Sequence, residues 1–319
     1  MFGGPVLATL GRQRRVPQIG GLLLLVLVWT VMPVMGAIPI VDVLDIRFID
    51  ALFESVSGLT TTGSTTFAAV DVLPRALVFW RVQLQWMGGF LALITVFGIM
   101  APMGIGGLSL SAISRQGHSG SMAARSRLLS LIWNYGLFYI GLSLIAFLLF
   151  SFSGVRAYHS ATLAMAAIST GGFLPFNASL DQVLGPFGLF CFAAFLILGA
   201  TSVFWHRMVL RLQIARLREH RESYSVIILA LILGFSFALT ITAVSGGAPE
   251  IAGYALIEGF MNGASLVATS GVESRPGIFT LFPLPLILFV VLLGGSAFST
   301  SGGLKHYRVG AMIVQSWSE

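Results

Sequence analysis

Three short segments rich in hydroxyl side chains and glycine recur along this chain at near-equal spacing. They are Gly58-Leu59-Thr60-Thr61-Thr62-Gly63-Ser64, Ala167-Ile168-Ser169-Thr170-Gly171-Gly172-Phe173 and Val267-Ala268-Thr269-Ser270-Gly271-Val272-Glu273. Aligned on Gly63, Gly171 and Gly271, they stand 108 and 100 residues apart, each between two long apolar runs. Non-helical backbone at membrane depth is tolerated only where protein covers it or where it lines a wet cavity. Three such turns at one period predict a shared axis ringed by backbone carbonyls.

Composition places the chain in a membrane. Of 319 residues, 56% are hydrophobic and 9% charged, with a mean hydropathy of +0.92, which no soluble domain of this size requires. The single cysteine, Cys191, excludes an intrachain disulfide and makes no cysteine metal site. The net charge of +6 sits in short loops between spans, which points to topology and not to nucleic acid. The start of the chain, with Arg12, Arg14 and Arg15 before an apolar run and Met35-Gly36-Ala37 after it, resembles a secretory signal. It stands before the first turn as later runs stand before theirs, so a retained first span is expected.

Six spanning runs are predicted, at roughly 19–41, 76–101, 129–153, 183–205, 224–245 and 279–298. The stretches from Arg47 to Ser57, Ala157 to Ala167 and Ile251 to Leu266 read as short re-entrant helices. This gives an all-α membrane protein of repeated span–pore helix–span units. The expected divisions are a basic tail (1–18), unit 1 (19–101), a loop (102–128), unit 2 (129–205), a loop (206–223) and unit 3 (224–319).

Arg12, Arg14, Arg15, Arg115, Arg125, Arg127, Arg207, Arg211, Arg216, Arg218, Arg221, Lys305 and Arg308 lie in the tail, the two loops and the C-terminal end. Asp42, Asp45, Asp50, Glu54, Asp71, Asp181, Glu250, Glu258 and Glu273 lie with the turns. The basic side is therefore expected in the cytoplasm, with both ends of the chain, and the turns enter from outside under an acidic rim that concentrates cations.

A potassium ion sheds its water only where oxygens replace it at little net cost. Glycine lets successive carbonyls aim inward, and small hydroxyls leave the axis open. The ion-binding positions are therefore expected at Thr60, Thr61, Thr62 and Gly63, at Ile168, Ser169, Thr170 and Gly171, and at Ala268, Thr269, Ser270 and Gly271. The transported ion is expected to be potassium, with no organic cofactor.

A second cluster, Gly294-Gly295-Ser296-Ala297-Phe298-Ser299-Thr300-Ser301-Gly302-Gly303-Leu304-Lys305, interrupts the sixth run. Glycine costs about 1 kcal/mol per position in a helix interior. The cluster reads equally as close helix packing through small residues or as a flexible intramembrane loop below the turns. Arg81, inside the second run, is expected to brace the structure by pairing with Glu54 or Asp50, and Glu258 to act likewise. Glu273 is the candidate for an outer mouth. His118, His159, His206 and His306 have no ligand spacing, and no catalytic triad, paired-carboxylate or nucleotide-loop pattern is present, so no enzyme is expected.

Phe53 through Gly63 resembles the first pore segment of the TrkH/KtrB (Trk/Ktr/HKT) family of cation channels and transporters. Gln85-Trp86-Met87-Gly88-Gly89 is similar to the stretch that follows it there, and Ile168 through Phe173 to the second pore segment. Gly294 and Gly295 through Ser299, Thr300, Ser301, Gly302, Gly303, Leu304 and Lys305 resemble that family's gating loop. The resemblance implies potassium uptake across a bacterial-type cytoplasmic membrane through a pseudo-fourfold pore, and a gate at 294–303. It also implies a homodimer with a cytoplasmic nucleotide-binding partner.

The family carries four pore units, and three are read here. Another stretch of sequence or another polypeptide is then expected to supply the fourth, or the chain is a non-conducting scaffold or regulatory subunit. Sodium permeation or sodium coupling is the remaining alternative. Gly63 argues against it, because plant relatives that pass sodium carry serine there. Val272 and Glu273 stand where an aromatic residue is usual.

Overall fold

A computed structural model describes residues 18–96, 121–213, 221–246 and 249–318. The expected tail (1–18) and first loop (102–128) lie largely outside these residues, as do Arg115, His118, Arg216 and Arg218. Among the described residues every regular element is helical. The elements are α1 (Gln18–Leu44), α2 (Phe48–Leu59), α3 (Arg75–Ile94), α4 (Ser121–Phe152), α5 (Ala157–Ser169), α6 (Leu180–Ala200), α7 (Val203–Leu210), α8 (Arg221–Val244), α9 (Pro249–Val267), α10 (Leu284–Leu293) and α11 (His306–Ser318), with a short 3₁₀ turn at Ile278–Leu281. Three times a long helix is followed by a shorter one, a turn and another helix: α1–α2–α3, α4–α5–α6 and α8–α9–α10.

Among the described residues, five helices are long and apolar enough to cross a membrane, within α1, α3, α4, α6 and α8. The sixth predicted run does not form a sixth. α10 stops after ten residues at Gly294, whose φ of 64° and ψ of −157° leave the helical region. Ten residues at the helical rise span about 15 Å, half the hydrocarbon core. The chain then turns back, and Leu304 and Lys305 donate backbone N–H groups to Leu292 and Leu293 at 2.8 and 3.0 Å. α6 also departs from a single rod. Gly185 (φ 60°, ψ −176°) stands before Pro186 and breaks the helix after its first turn.

The chain divides into two compact units, Met1–Met32 with Ile94–Phe138, and Pro33–Leu93 with Tyr139–Glu319. In the smaller, the indole of Trp29 donates to Thr95 Oγ1 at 3.4 Å. The larger holds the three turns and the core. There Ala37, Ile40, Ala51 and Leu77 are buried, with Trp80 and Phe67 packed on them. Residues such as Ile228, Leu231, Ile232, Phe235 and Leu239 are exposed along α8, the face a bilayer would cover.

Without a hydrophobic drive between helices in lipid, association depends on close packing. α8 and α9 meet backbone to backbone. A Cβ on Gly259 would stand 2.3 Å from the Gly234 carbonyl oxygen, and one on Gly263 2.6 Å from that of Ala230. The small residues Ala230, Gly234 and Ala238 repeat every fourth position along the seam. Gly259→Leu is expected to lower the melting temperature of the detergent-solubilised protein by roughly 5 °C, a magnitude set by overpacking. Gly253→Leu, where nothing lies within 4 Å, serves as the control.

Candidate functional site

The three turns close by one device. Each has a non-glycine residue at positive φ: Thr61 (57°), Thr170 (53°) and Thr269 (58°). In each, that threonine's N–H returns to the carbonyl three residues back, and the next N–H to the carbonyl five back. The pairs are Thr61 to Gly58 and Thr62 to Ser57, Thr170 to Ala167 and Gly171 to Ala166, and Thr269 to Leu266 and Ser270 to Ser265. Left-handed φ in a β-branched residue costs on the order of 1–3 kcal/mol. The same strain at the same place three times identifies a true repeat.

This backbone register differs from the sequence alignment in the second turn. Thr61, Thr170 and Thr269 correspond, so Gly172, and not Gly171, stands opposite Gly63 and Gly271. The adjacent glycines Gly171 and Gly172 made the alignment ambiguous by one residue, and hydrogen bonding resolves it. Gly63 (φ 77°) and Gly271 (φ 70°) require glycine for their conformation. In this register Ile168 is helical, inside α5, and the second turn proper is Ser169 to Gly172.

The turns meet. A Cβ on Gly63 would lie 2.4 Å from Gly172 Cα, and one on Gly172 would lie 2.8 Å from the Ser270 carbonyl oxygen. Ser270 Oγ donates to the Gly171 carbonyl at 2.8 Å. Thr60, Thr62 and Gly271 are exposed, whereas Ser169, Thr170, Gly171, Ala268 and Ser270 are buried. The hydroxyls of Thr60 and Thr62 bond each other at 2.8 Å, and that of Thr170 donates to the Ser169 carbonyl at 2.7 Å.

Side chains from α3 fix two turns at once. Arg81 and Glu54 form a fully buried pair, with Arg81 Nη2 and Nε 2.7 and 2.9 Å from Glu54 Oε2. Glu54 Oε1 accepts from Thr65 Oγ1 (2.8 Å), Thr66 N (2.6 Å) and Thr66 Oγ1 (3.0 Å), pinning the chain just after the first turn. The guanidinium lies over the Phe173 ring at 4.2 Å, joining the second turn. One helical turn on, Gln85 Oε1 accepts from Phe173 N at 3.0 Å and Gln85 Nε2 reaches Ser169 Oγ at 3.4 Å. Gly88 lets α3 touch the end of α2, where a Cβ would stand 1.9 Å from the Leu59 carbonyl oxygen. Asp50, the other partner considered for Arg81, instead pairs with exposed Arg47 at 2.8 Å.

The third turn has its own brace. Buried Glu258 pairs with Arg275. Asn262 accepts from Ser274 N (3.0 Å) and donates to Ser274 Oγ (2.8 Å). Glu273, expected at an outer mouth, engages both carboxylate oxygens with the backbone N–H groups of Gly277 (2.7 Å) and Phe279 (2.8 Å). Sequence reasoning missed Gln85 and Asn262 as braces. Their signal was an amide side chain inside an apolar helix, costly unless partnered.

Residues 294–305 form a loop that abuts two turns. Thr300 Oγ1 bonds the Ile168 and Gly199 carbonyls, each at 3.0 Å, and Gly302 N donates to Thr269 Oγ1 at 2.7 Å. Ser296 N and Thr300 N donate to the Ala200 and Gly199 carbonyls at the end of α6. Gly294 and Gly303 pack against each other so tightly that a Cβ on Gly303 would stand 2.6 Å from Gly294 Cα. Ser299 Oγ bonds Ser301 Oγ at 2.8 Å, and Lys305 Nζ donates to the Ser301 carbonyl. Gly295 is held so close to the Ala200 carbonyl oxygen that a Cβ would fall 2.6 Å from it.

The corner between α6 and α7 that receives this loop is closed by His206 Nε2 against Thr201 Oγ1 at 2.8 Å. Burial pushes the imidazole pKa from its ordinary 6.5 down to about 4.

The described residues thus make an all-helical, multi-pass membrane protein with three repeated turns. The family model of the TrkH cation transport proteins matches residues 18–245, and the chain belongs to that family, which comprises transporters and not enzymes. It is 29% identical over 302 residues to the Trk system potassium uptake protein TrkH of Escherichia coli (strain K12), covering 92% of this chain and 62% of that protein. It is 27% identical over 305 residues to the Trk system potassium uptake protein TrkG of the same strain, with 94% and 62% covered. The crystal structure of the potassium transporter TrkH from Vibrio parahaemolyticus superposes with a TM-score of 0.77 at 25% identity, over 96% of this chain and 63% of that one. The chain thus spans less than two thirds of the length of these relatives.

Two outcomes follow from the braces. Glu54→Gln and Arg81→Met each strand one partner of the buried pair, and each is expected to lower stability by about 3–5 kcal/mol. The double variant should cost clearly less than the sum of the two, as read by thermal melting in detergent. For His206 the sign is set by its depressed folded pKa. The unfolded chain takes up a proton near pH 6.5 and the folded one only near pH 4, so its contribution is full above pH 6.5 and declines as pH falls toward 4. Melting temperatures at pH 7 and 5 should therefore differ less in His206→Gln than in the parent.

Proposed function

We propose that this chain is a pore-forming part of a potassium uptake system, carrying K+ across a bacterial cytoplasmic membrane. The observation that supports this best is the meeting of three turns closed by the same left-handed threonine and pair of returning hydrogen bonds, Gly63 against Gly172 and Ser270 against Gly171. Their relatives are named as potassium uptake proteins.

On this reading the ion meets peptide oxygens of Thr60, Thr61, Thr62 and Gly63, of Ser169, Thr170, Gly171 and Gly172, and of Ala268, Thr269, Ser270 and Gly271. Dehydration is offset by those oxygens and not by a fixed charge. An ion between Gly63 and Gly172 has to part the two backbones, so the packing behind them sets the aperture. Arg81, Glu54 and Gln85 supply that packing.

The 294–303 segment, with Gly294, Gly295, Ser299, Thr300, Ser301, Gly302 and Gly303, is the gate on this reading. Its hydrogen bonds to the Ile168 carbonyl and to Thr269, both at the turns, support that role. Both ends of the chain face the cytoplasm. The working assembly is a homodimer with a cytoplasmic nucleotide-binding regulatory subunit, as the family resemblance implies.

Gly63 carries the test. Any side chain there is strained at φ 77° and meets Gly172. Gly63→Asp is expected to abolish potassium uptake in a deficient host while membrane insertion is retained. Normal uptake by an inserted Gly63→Asp variant would overturn the assignment, and flux into liposomes with potassium and sodium compared would fix the ion.

A further inference from the structure

We propose that Glu222, in the first turn of α8, is the clasp that holds the 294–305 loop in its obstructing position, so that loss of its carboxylate frees the loop. The proposal deepens the gate reading above and rests on it for its effect on ion flow. One carboxylate oxygen, Glu222 Oε1, accepts from two backbone N–H groups, Ala297 at 2.8 Å and Tyr307 at 3.1 Å. These residues stand inside the loop and just after it, so a single atom draws its two ends together. Charge-assisted bonds of this kind are stronger than neutral ones.

The rest of the loop is tied differently. Lys305 Nζ bonds the Ser301 carbonyl and reaches Ser299 Oγ at 3.3 Å, contacts within the loop itself, and the ammonium also feels the Glu222 carboxylate. The bonds to Gly199 and Ala200 run from backbone to α6 backbone. Glu222 therefore adds a charged anchor to a loop that is otherwise tied to α6 and the turns by neutral hydrogen bonds.

The neighbours of Glu222 make this end of α8 a junction. Ser225 Oγ bonds His306 Nδ1 at 2.9 Å, at the start of α11. Ser223 Oγ accepts from Ser202 N at 3.4 Å, at the α6–α7 corner. The basic stretch with Arg207, Arg211, Arg216, Arg218 and Arg221 leads directly into Glu222 in sequence. Because both N–H groups share one acceptor atom, loss of the Glu222 carboxylate strands those of Ala297 and Tyr307 together.

The test uses protein expressed from the complete gene and reconstituted in liposomes, with Cys191→Ser as background and Ala297→Cys as reporter. Its N–H, and hence the clasp, is kept. With Glu222→Ala, modification of Ala297→Cys by a maleimide is expected to accelerate roughly tenfold, the scale of losing charge-assisted hydrogen bonds. Potassium flux should rise while the potassium-to-sodium ratio stays unchanged, which damage to the turns would not produce. Glu222→Gln keeps a carbonyl oxygen for both N–H groups and should fall between. Equal modification rates in Glu222 and Glu222→Ala protein would overturn the clasp. If the alanine variant does not fold, equal rates in Glu222→Gln would do the same. The thiol readout needs no conduction, so absent flux with accelerated modification would sink the pore reading and leave the clasp standing.

Discussion

Backbone that leaves the helix inside a membrane must find its hydrogen bonds within the protein, and this constraint organises the larger unit. Each turn first satisfies itself by returning N–H groups to the end of its own short helix. The remaining donors and acceptors are met from elsewhere. Gln85 of α3 takes the N–H of Phe173, Ser270 of the third turn caps the Gly171 carbonyl, and Thr269 accepts from Gly302 of the loop. No turn is complete alone, so the repeats interlock through the very groups that would otherwise be stranded.

Glycine and charge divide the work of holding this arrangement. Gly88, Gly234, Gly259 and Gly263 remove side chains where backbones touch, which brings helices close but gives no direction. The pairs Arg81–Glu54 and Glu258–Arg275 give direction. A buried ion pair is a poor source of net stability, since its desolvation offsets the attraction. Here Glu54 also accepts three further bonds from Thr65 and Thr66. The pair is better understood as a fixture that dictates where the chain goes after the first turn.

Long apolar runs made the spanning helices legible, because a lipid-facing helix is apolar along its whole length. The short helices ended within one or two residues of expectation, where hydroxyl and glycine residues begin. The choice of Glu54 over Asp50 as partner of Arg81 was not legible. The two acids stand one helical turn apart on α2, and only the packing of α3 against that helix decides. The sixth span was misread because apolar content continues past Gly294, whereas backbone conformation does not. The register of the second turn was off by one because Gly171 and Gly172 are identical letters, and hydrogen bonding alone separates them. Glu222 left no mark in sequence, since an acid at a helix start is commonplace.

The contact between loop and turns is itself built to be exchangeable. Thr300 has one hydroxyl hydrogen, yet the Ile168 and Gly199 carbonyls both stand 3.0 Å from its oxygen. Its backbone N–H already serves Gly199 at 3.0 Å. When the hydroxyl turns to Gly199, the Ile168 carbonyl is released without any movement of the main chain. Thr170 Oγ1, at 3.4 Å from Thr300 Oγ1, is the nearest hydroxyl that shares this cluster. The loop and the second turn are thus coupled through a single rotatable group, and a shift of the loop changes the surroundings of a peptide oxygen at the end of α5.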